Sequence, residues 1–309
     1  MKGVILAAGL GTRLYPVTKH VAKPILPIAN RGTLEYAFDR LREIDVRDIC
    51  IVVGQMEEAM KAALGDGSQF GVRLSYVRQT EPKGLAHATG FAKDFVAGDP
   101  FVLYLGDAVY ENGFVEAARR FRESGCANMS AVKWVEDPTR FGVANLNGEE
   151  IVKLVEKPKE PESNYAMAGI YFFGPELWDV LPDLQPSARG EYEITDAIQA
   201  LINRGHKVLA AIYEGEWFDT GTLDSFLATN RFLTRGGVAL GEGAELDGVM
   251  GESVAIGAGA RVRCQSIDDA VILPGAVVET DGPIRHALIG GTVVTAGPIE
   301  NTIRYGDEA

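Results

Sequence analysis

Residues 6–16 read LAAGLGTRLYP and follow a short apolar run that starts at Lys2. A glycine-rich turn after a strand commonly meets a phosphate, because its free backbone N–H groups can nest an anion. Arg13 stands inside this turn, and Lys23 comes after it, held before Pro24 in the stretch TKHVAKPILP. A guanidinium grips phosphate oxygens two at a time, whereas an ammonium is a point charge. Two familiar templates fail. A dinucleotide fingerprint needs a third glycine, but Gly9 and Gly11 are followed by Leu14. A P-loop ends in Gly-Lys-Ser/Thr, which is missing here. A plain strand-to-helix turn with a surface Arg and Lys is the bland alternative. Pro16 argues against an immediate long helix.

The bulk composition sharpens this. The chain has 309 residues and a formal net charge of −13, with 46% apolar and 24% charged residues. That balance speaks against nucleic acid or an anionic membrane as partner, since either needs a basic footprint. An acidic chain that handles phosphates must place its cations locally or recruit a divalent metal. Cys50, Cys126 and Cys264 are isolated and form no C-x-x-C pair, and the four histidines are scattered. Zinc and a disulfide framework are not expected, and the cytoplasm is the expected home. The apolar start is too short and too broken by Gly9, Gly11 and Arg13 to read as a signal peptide.

The elements that must position these residues are set by periodicity. Runs at 4–7, 48–53, 72–77 and 100–105 read as strands, with helical patterns between them. Such alternation predicts a Rossmann-like α/β domain whose mixed, mostly parallel sheet is covered by helices on both faces. Residues 127–175 are rich in strand patterns, and helices are expected near 194–202 and over 222–233. After RGG at 235–237 the character changes. LGEGAE begins at 240, IGAGAR at 256, LPGAVV at 273 and IGGTVV at 289. Intervals of 16, 17 and 16 residues predict a hexapeptide β-helix of about four coils. An α/β domain over 1–235 and a hexapeptide-repeat domain over 236–309 are therefore expected. A short coil stack leaves an open end, which predicts a homo-oligomer.

G-x-G-T-R-L-x-P followed by K-P-I-L-P resembles the sugar-1-phosphate nucleotidylyltransferase family, especially its glucose-1-phosphate thymidylyltransferase branch. QTEPKGLAHA (79–88), LGD (105–107), VEKP (155–158) and WFDTGT (217–222) are similar to further motifs of that family, in the same order. The resemblance covers nearly the whole chain: it implies a catalytic domain over 1–235 and, over 236–309, the left-handed β-helix of the family's long-form members. It implies attack by a sugar-1-phosphate oxygen on the α-phosphorus of a nucleoside triphosphate, with pyrophosphate leaving. It implies that Leu6, Ala7, Ala8, Gly9, Gly11 and Thr12 line the nucleotide, that Arg13 holds its outer phosphates, and that Lys23 sits on the α-phosphate. Gln79 would read a pyrimidine and Gly84 would let the backbone approach it. Asp107 and Asp219 would hold Mg²⁺, although a turn residue and a helix cap are their ordinary alternatives. Lys157 would bind the sugar phosphate, with Arg189 a second clamp or a solvated loop arginine. Glu156, Gly142, Gly169 and Trp217 would surround the sugar.

The base stays open between dTTP, which is favoured, and UTP. K-P-I-L-P and the A-A-G at 7–9 depart from the thymidylyl pattern, whereas RGEYEITDAI keeps it. An N-acetylglucosamine-1-phosphate uridylyltransferase, a mannose-1-phosphate guanylyltransferase and a non-catalytic regulatory subunit on the same fold are the competing readings. His286 is the lone histidine of the tail, which speaks against an added acetyltransferase site there.

Overall fold

The structure is a computed structural model that describes residues 1–307. Its contacts divide the chain into two compact units. Unit one comprises Met1–Gly9, Ala37–Gly106 and Tyr110–Trp217; unit two comprises Leu10–Tyr36, Asp107–Val109 and the chain from Phe218 on.

Unit one is built on nine strands: β1 (Lys2–Ala7), β2 (Asp48–Val53), β3 (Arg73–Arg78), β4 (Phe101–Leu105), β5 (Asn128–Trp134), β6 (Gly142–Asn147), β7 (Glu150–Glu156), β8 (Tyr165–Phe173) and β9 (Val208–Ile212). They order as β3-β2-β1-β4-β8-β5-β9-β7-β6. The four strands of the expected β/α alternation pair in parallel. β8 then enters antiparallel against both β4 and β5, and the far edge is antiparallel as well. The sheet is mixed, as expected, but its parallel character is concentrated in the first half, plus the β5–β9 pair. Val4 and Ile5 of β1 are 0% exposed. A strand covered on both faces is apolar at consecutive positions, and each such side chain contributes about 2 kcal/mol by burial. The helical stretch expected over 85–95 is two short helices, α1 (Leu85–Gly90) and Lys93–Val96. The helix expected near 194 is α2 (Ile194–Asn203), whose Ile194, Ala197, Ile198 and Leu201 are buried.

Unit two holds α3 (Leu223–Thr234) and a tail of short strands that pair only in parallel among the described residues. Leu240 pairs with Ile256, Ile256 with Ile272, and Ile272 with Ile289, at spacings of 16, 16 and 17 residues. The column therefore takes Ile272 at its third position, not Leu273. Alternate strand residues point to opposite sides. Ile256, Ile272 and Ile289 join an inner apolar core, while Ala255, Val271, Leu273 and Leu288 face outward. That outer layer packs with Leu14, Val17, Leu26 and Ile28 of the glycine-rich segment and with Phe226 and Leu227 of α3. The segment carrying Arg13 and Lys23 is thus fixed to a rigid stack, which loop chemistry alone does not supply.

Candidate active site

In unit two the glycine-rich segment does not enter a long helix. Gly11 takes φ 64°, Thr12–Leu14 forms a single tight turn, and a four-residue helix comes next at Val17–His20. Thr18 Oγ1 donates to the Gly11 carbonyl at 2.7 Å. A Cβ on Gly11 would lie 3.1 Å from both Lys23 Cβ and Thr18 Cγ2, so glycine lets Lys23 lie against the turn. A second tight turn, Lys23–Ile25, has Pro24 at its start, where the missing N–H costs nothing. It leaves Lys23 only 8% exposed. A loop lysine is expected to be solvated; this one is not, and it lies in a segment whose Leu14, Val17 and Leu26 are 0% exposed.

Lys23 Nζ donates to Asp107 Oδ2 at 2.7 Å and lies 3.9 Å from Asp219 Oδ1. The two aspartates are joined through the backbone as well. Thr220 donates from both its N–H (3.1 Å) and its hydroxyl (2.9 Å) to the Asp107 carbonyl. Thr220 is 1% exposed, so these bonds are shielded from water. The helix cap weighed for Asp219 belongs to Thr222, whose hydroxyl accepts from Ser225 N in a reciprocal capping box. That leaves the Asp219 carboxylate to face the cluster. A Cβ on Gly221 would stand 2.5 Å from Arg13 Nη2 and 2.9 Å from Asp219 Oδ1. Arg13, Lys23, Asp107 and Asp219, drawn from three separate chain segments, are therefore brought together around Gly221. Among the described residues no group of three or more His, Cys, Asp or Glu could hold a metal alone. Two carboxylates on one side of a site that still needs oxygen ligands fit Mg²⁺, which takes few protein ligands and completes its shell from phosphates and water.

Unit one carries the other candidates. Gly106 donates to the Leu6 carbonyl at 2.9 Å, which holds the end of β1. A Cβ on Gly54 would lie 2.6 Å from the Ala8 carbonyl oxygen, so that loop is closely backed, whereas a Cβ on Gly9 would meet nothing within 4 Å. Ala7 continues β1 toward that open face. Gln79 is 8% exposed, and its amide donates to His87 Nδ1 at 3.0 Å. Gly84 has φ 102°, and a Cβ there would sit 2.5 Å from the Tyr192 carbonyl oxygen. The fold alone therefore demands glycine at this position.

Around β6, β7 and α2 a second polar cluster forms. Glu156 lies 3.6 Å from Lys157 Nζ and 3.5 Å from Arg189 Nη1, and Thr195 Oγ1 donates to its other oxygen at 3.1 Å. Lys157 has φ 43° and donates its N–H to the Phe141 carbonyl at 2.9 Å, which turns its side chain at the end of β7. Arg189 is gathered by Glu156, Glu191 and Glu193, so it is not a freely solvated loop residue. Glu193 was not singled out by the sequence. Its side chain is 4% exposed, it accepts from Ser187 Oγ at 2.9 Å, and burial raises its pKa above the usual range despite Arg189. An acid directly before the apolar run of α2 was the available signal. Gly142 and Gly169 also have internal reasons: a Cβ would lie 2.5 Å from Thr195 Cγ2 and 3.0 Å from Tyr110 Oη, respectively. Trp217 packs against Phe141 with the rings tilted and their centroids 5.0 Å apart, and its buried indole N–H has no partner among the described residues.

The sequence profile of the nucleotidyl transferase family matches residues 2–236. The chain belongs to this family. Among relatives, the glucose-1-phosphate thymidylyltransferase of Streptomyces griseus is 36% identical over 96% of this chain and 94% of its own length. The low-salt glycan biosynthesis nucleotidyltransferase Agl11 of Haloferax volcanii is 42% identical over 75% of this chain and 66% of that relative. A Bacillus anthracis crystal structure, provisionally assigned as a glucose-1-phosphate thymidylyltransferase, superposes with a TM-score of 0.70 at 38% identity. It covers 75% of this chain and 94% of that one. As a nucleotidyl transferase the chain carries a mixed α/β fold with a parallel sheet region, and it is an enzyme of the nucleotidyl-transferring type. No helix among the described residues is long and apolar enough to cross a membrane.

Proposed function

We propose that the protein transfers a nucleotidyl group from a nucleoside triphosphate to a sugar-1-phosphate, with dTTP and glucose-1-phosphate the favoured pair and UTP the next base. The observation that carries this reading is the gathering of Arg13, Lys23, Asp107 and Asp219 around Gly221. No covalent intermediate is needed, so catalysis rests on positioning and charge stabilisation. Arg13 holds the phosphates that leave as pyrophosphate. Lys23 neutralises charge that builds on the α-phosphate. Leu6 to Gly9, Gly11 and Thr12 supply backbone to the triphosphate, and Gln79 pairs with the base beside Gly84. Lys157 and Arg189 orient the sugar phosphate for in-line attack, while Glu156, with Gly142, Gly169 and Trp217, accepts the sugar. Asp107 and Asp219 would hold Mg²⁺, which when bound polarises the α-phosphate.

The family reading and the parallel coil register support a catalytic domain over 1–235 followed by a left-handed β-helix from 236, with the stack closed by assembly into a homo-oligomer. Three free, buried cysteines suit the cytoplasm. The test is pyrophosphate release measured for five nucleoside triphosphates against glucose-, N-acetylglucosamine- and mannose-1-phosphate. The expected maximum in kcat/KM is dTTP with glucose-1-phosphate. Another maximum corrects the substrate, and no release from any pair assigns the chain to a non-catalytic role.

A further inference from the structure

Unit one holds a cavity of about 430 Å³, lined by none of the residues assigned to the nucleotide or the sugar. Its walls include Lys83, His87, Gly90 and Lys93 from α1 and the chain flanking it, together with Trp178 and Tyr192. That volume suits a small organic ligand. The wall chemistry is mixed in a particular way. Trp178 stacks on Phe101 at 5.5 Å, and His87 stacks on Tyr192 at 6.2 Å, so flat rings frame the space. Two lysines stand at it, of which Lys83 is paired with Glu81.

Gly90 is the informative residue. It is the last residue of α1 and is exposed, at a helix end where glycine costs less than the roughly 1 kcal/mol of a helix interior. At Gly84 a left-handed φ and the Tyr192 backbone account for the residue type. Gly90 has neither reason: it lies outside the left-handed region, and its Cβ would meet nothing within 4 Å. Gly9, in the nucleotide loop, shares both properties. Glycine without an internal reason at the wall of a cavity keeps the backbone open to a ligand.

We propose that this cavity is a second ligand site, for a small planar aromatic ring bearing an anionic group, and that its occupancy is transmitted through His87 to Gln79. The ring lies among Trp178, His87 and Tyr192, and the anion takes the lysines. Transmission rests on one hydrogen bond. The Gln79 amide donates to His87 Nδ1, which requires that nitrogen to be unprotonated. Burial, with Lys83 nearby, keeps His87 neutral in the empty protein. An anion beside the ring favours its protonation, Nδ1 then ceases to accept, and Gln79 keeps only its longer 3.5 Å bond to the Gly84 carbonyl. The effect on turnover rests on the reading of Gln79 as the base-binding residue; the binding itself does not.

The test uses the full chain and 1-naphthalenesulfonate as probe, followed by isothermal titration calorimetry. The parent is expected to bind one equivalent. Gly90→Gln fills the cavity and abolishes binding, while Gly90→Ala leaves it. Lys93→Glu, at an exposed position, weakens binding about tenfold, and it decides the question even where the glutamine variant does not fold. A parent that binds nothing, or both the glutamine and glutamate variants binding as the parent does, overturns the site. In pyrophosphate release, saturating probe is expected to raise KM for the triphosphate at unchanged kcat. Binding with unmoved KM overturns the link to Gln79, whereas an enzyme inactive without probe is a failure of the functional reading alone.

Discussion

Replacing Lys23 by methionine keeps most of its length and removes its charge, and the local geometry sets the size of the effect. The ammonium lies 2.7 Å from Asp107 and 3.9 Å from Asp219. Two unit charges 4 Å apart interact by about 1 kcal/mol in water and about 4 kcal/mol at the effective dielectric of a protein surface. The lysine is 8% exposed but both carboxylates are 41% exposed. Water therefore screens the pair, and the lower figure applies to each contact. The expected loss of stability is about 2 kcal/mol, less than for a fully buried pair that loses one partner. Turnover should fall about a hundredfold to a thousandfold, the range for removing one preorganised charge from a transition state. The variant also tests the carboxylate pair without turnover. With the ammonium gone, Asp107 and Asp219 lack their shared counter-charge, and Mg²⁺ becomes its substitute. Mg²⁺ at ten times its Kd would restore about 1.4 kcal/mol. Urea unfolding with and without Mg²⁺ should therefore show a larger gain in Lys23→Met than in the parent. Equal gains, or near-parental turnover, would refute the argument that these three residues form one charge cluster.

Other residues give independent checks. Gly221→Ala places a methyl 2.5 Å from Arg13 Nη2 and 2.9 Å from Asp219 Oδ1; pyrophosphate release should drop at least tenfold, by roughly 1.4 kcal/mol of barrier, with the melting temperature little changed. Glu193 has its pKa raised above 4.5 by burial. The folded state then holds its proton longer than the unfolded state, so this group lowers stability as pH climbs past 4.5. Glu193→Gln should therefore gain stability relative to the parent between pH 4 and pH 7 in urea titrations; a constant difference counts against a buried, strained carboxylate. His286 is opposed by burial, but hydrogen bonds with Asp269 (2.7 Å) and Asp224 (2.8 Å) outweigh it and raise its pKa above 6.5. Its stabilisation is full below pH 6.5 and is lost as pH rises through the raised value. His286→Gln should cost more at pH 6 than at pH 9, by thermal unfolding at both.

Whether a feature of this fold is readable in the sequence depends on whether its cause is local. The strands at 48–53 and 100–105 declare themselves because a doubly covered strand is apolar at each position. The coil interval is equally local, since each coil must repeat to stack on the last. It slipped by one residue at Ile272 because Leu273 is also aliphatic, and only the partition between inner and outer layers separates them. Gly84 shows the opposite limit. Its type was read as room for a ligand, and the backbone of Tyr192, more than a hundred residues later, adds a reason for glycine that no local pattern announces. Lys23 shows it again: nothing in KPILP announces that the lysine is buried, because its segment is held by an apolar layer that includes residues of the coil stack and α3, more than two hundred positions later.

The same cases show why the cluster around Gly221 carries more weight than the motifs that pointed to it. Each motif residue has an ordinary explanation taken singly: a turn for Asp107, a cap for Asp219, a solvated chain for Lys23. The structure gives the cap to Thr222 and buries Lys23, and although Asp107 does stand in the turn after β4, its carboxylate meets the Lys23 ammonium there. A fold seeking only stability would gain as much from an apolar side chain at 23, since buried ion pairs seldom outperform apolar packing. On the proposed function, an ammonium kept out of water against two half-exposed carboxylates is an arrangement held ready for a polyanion and its cation, in which the lysine is the one charge that need not leave when both arrive.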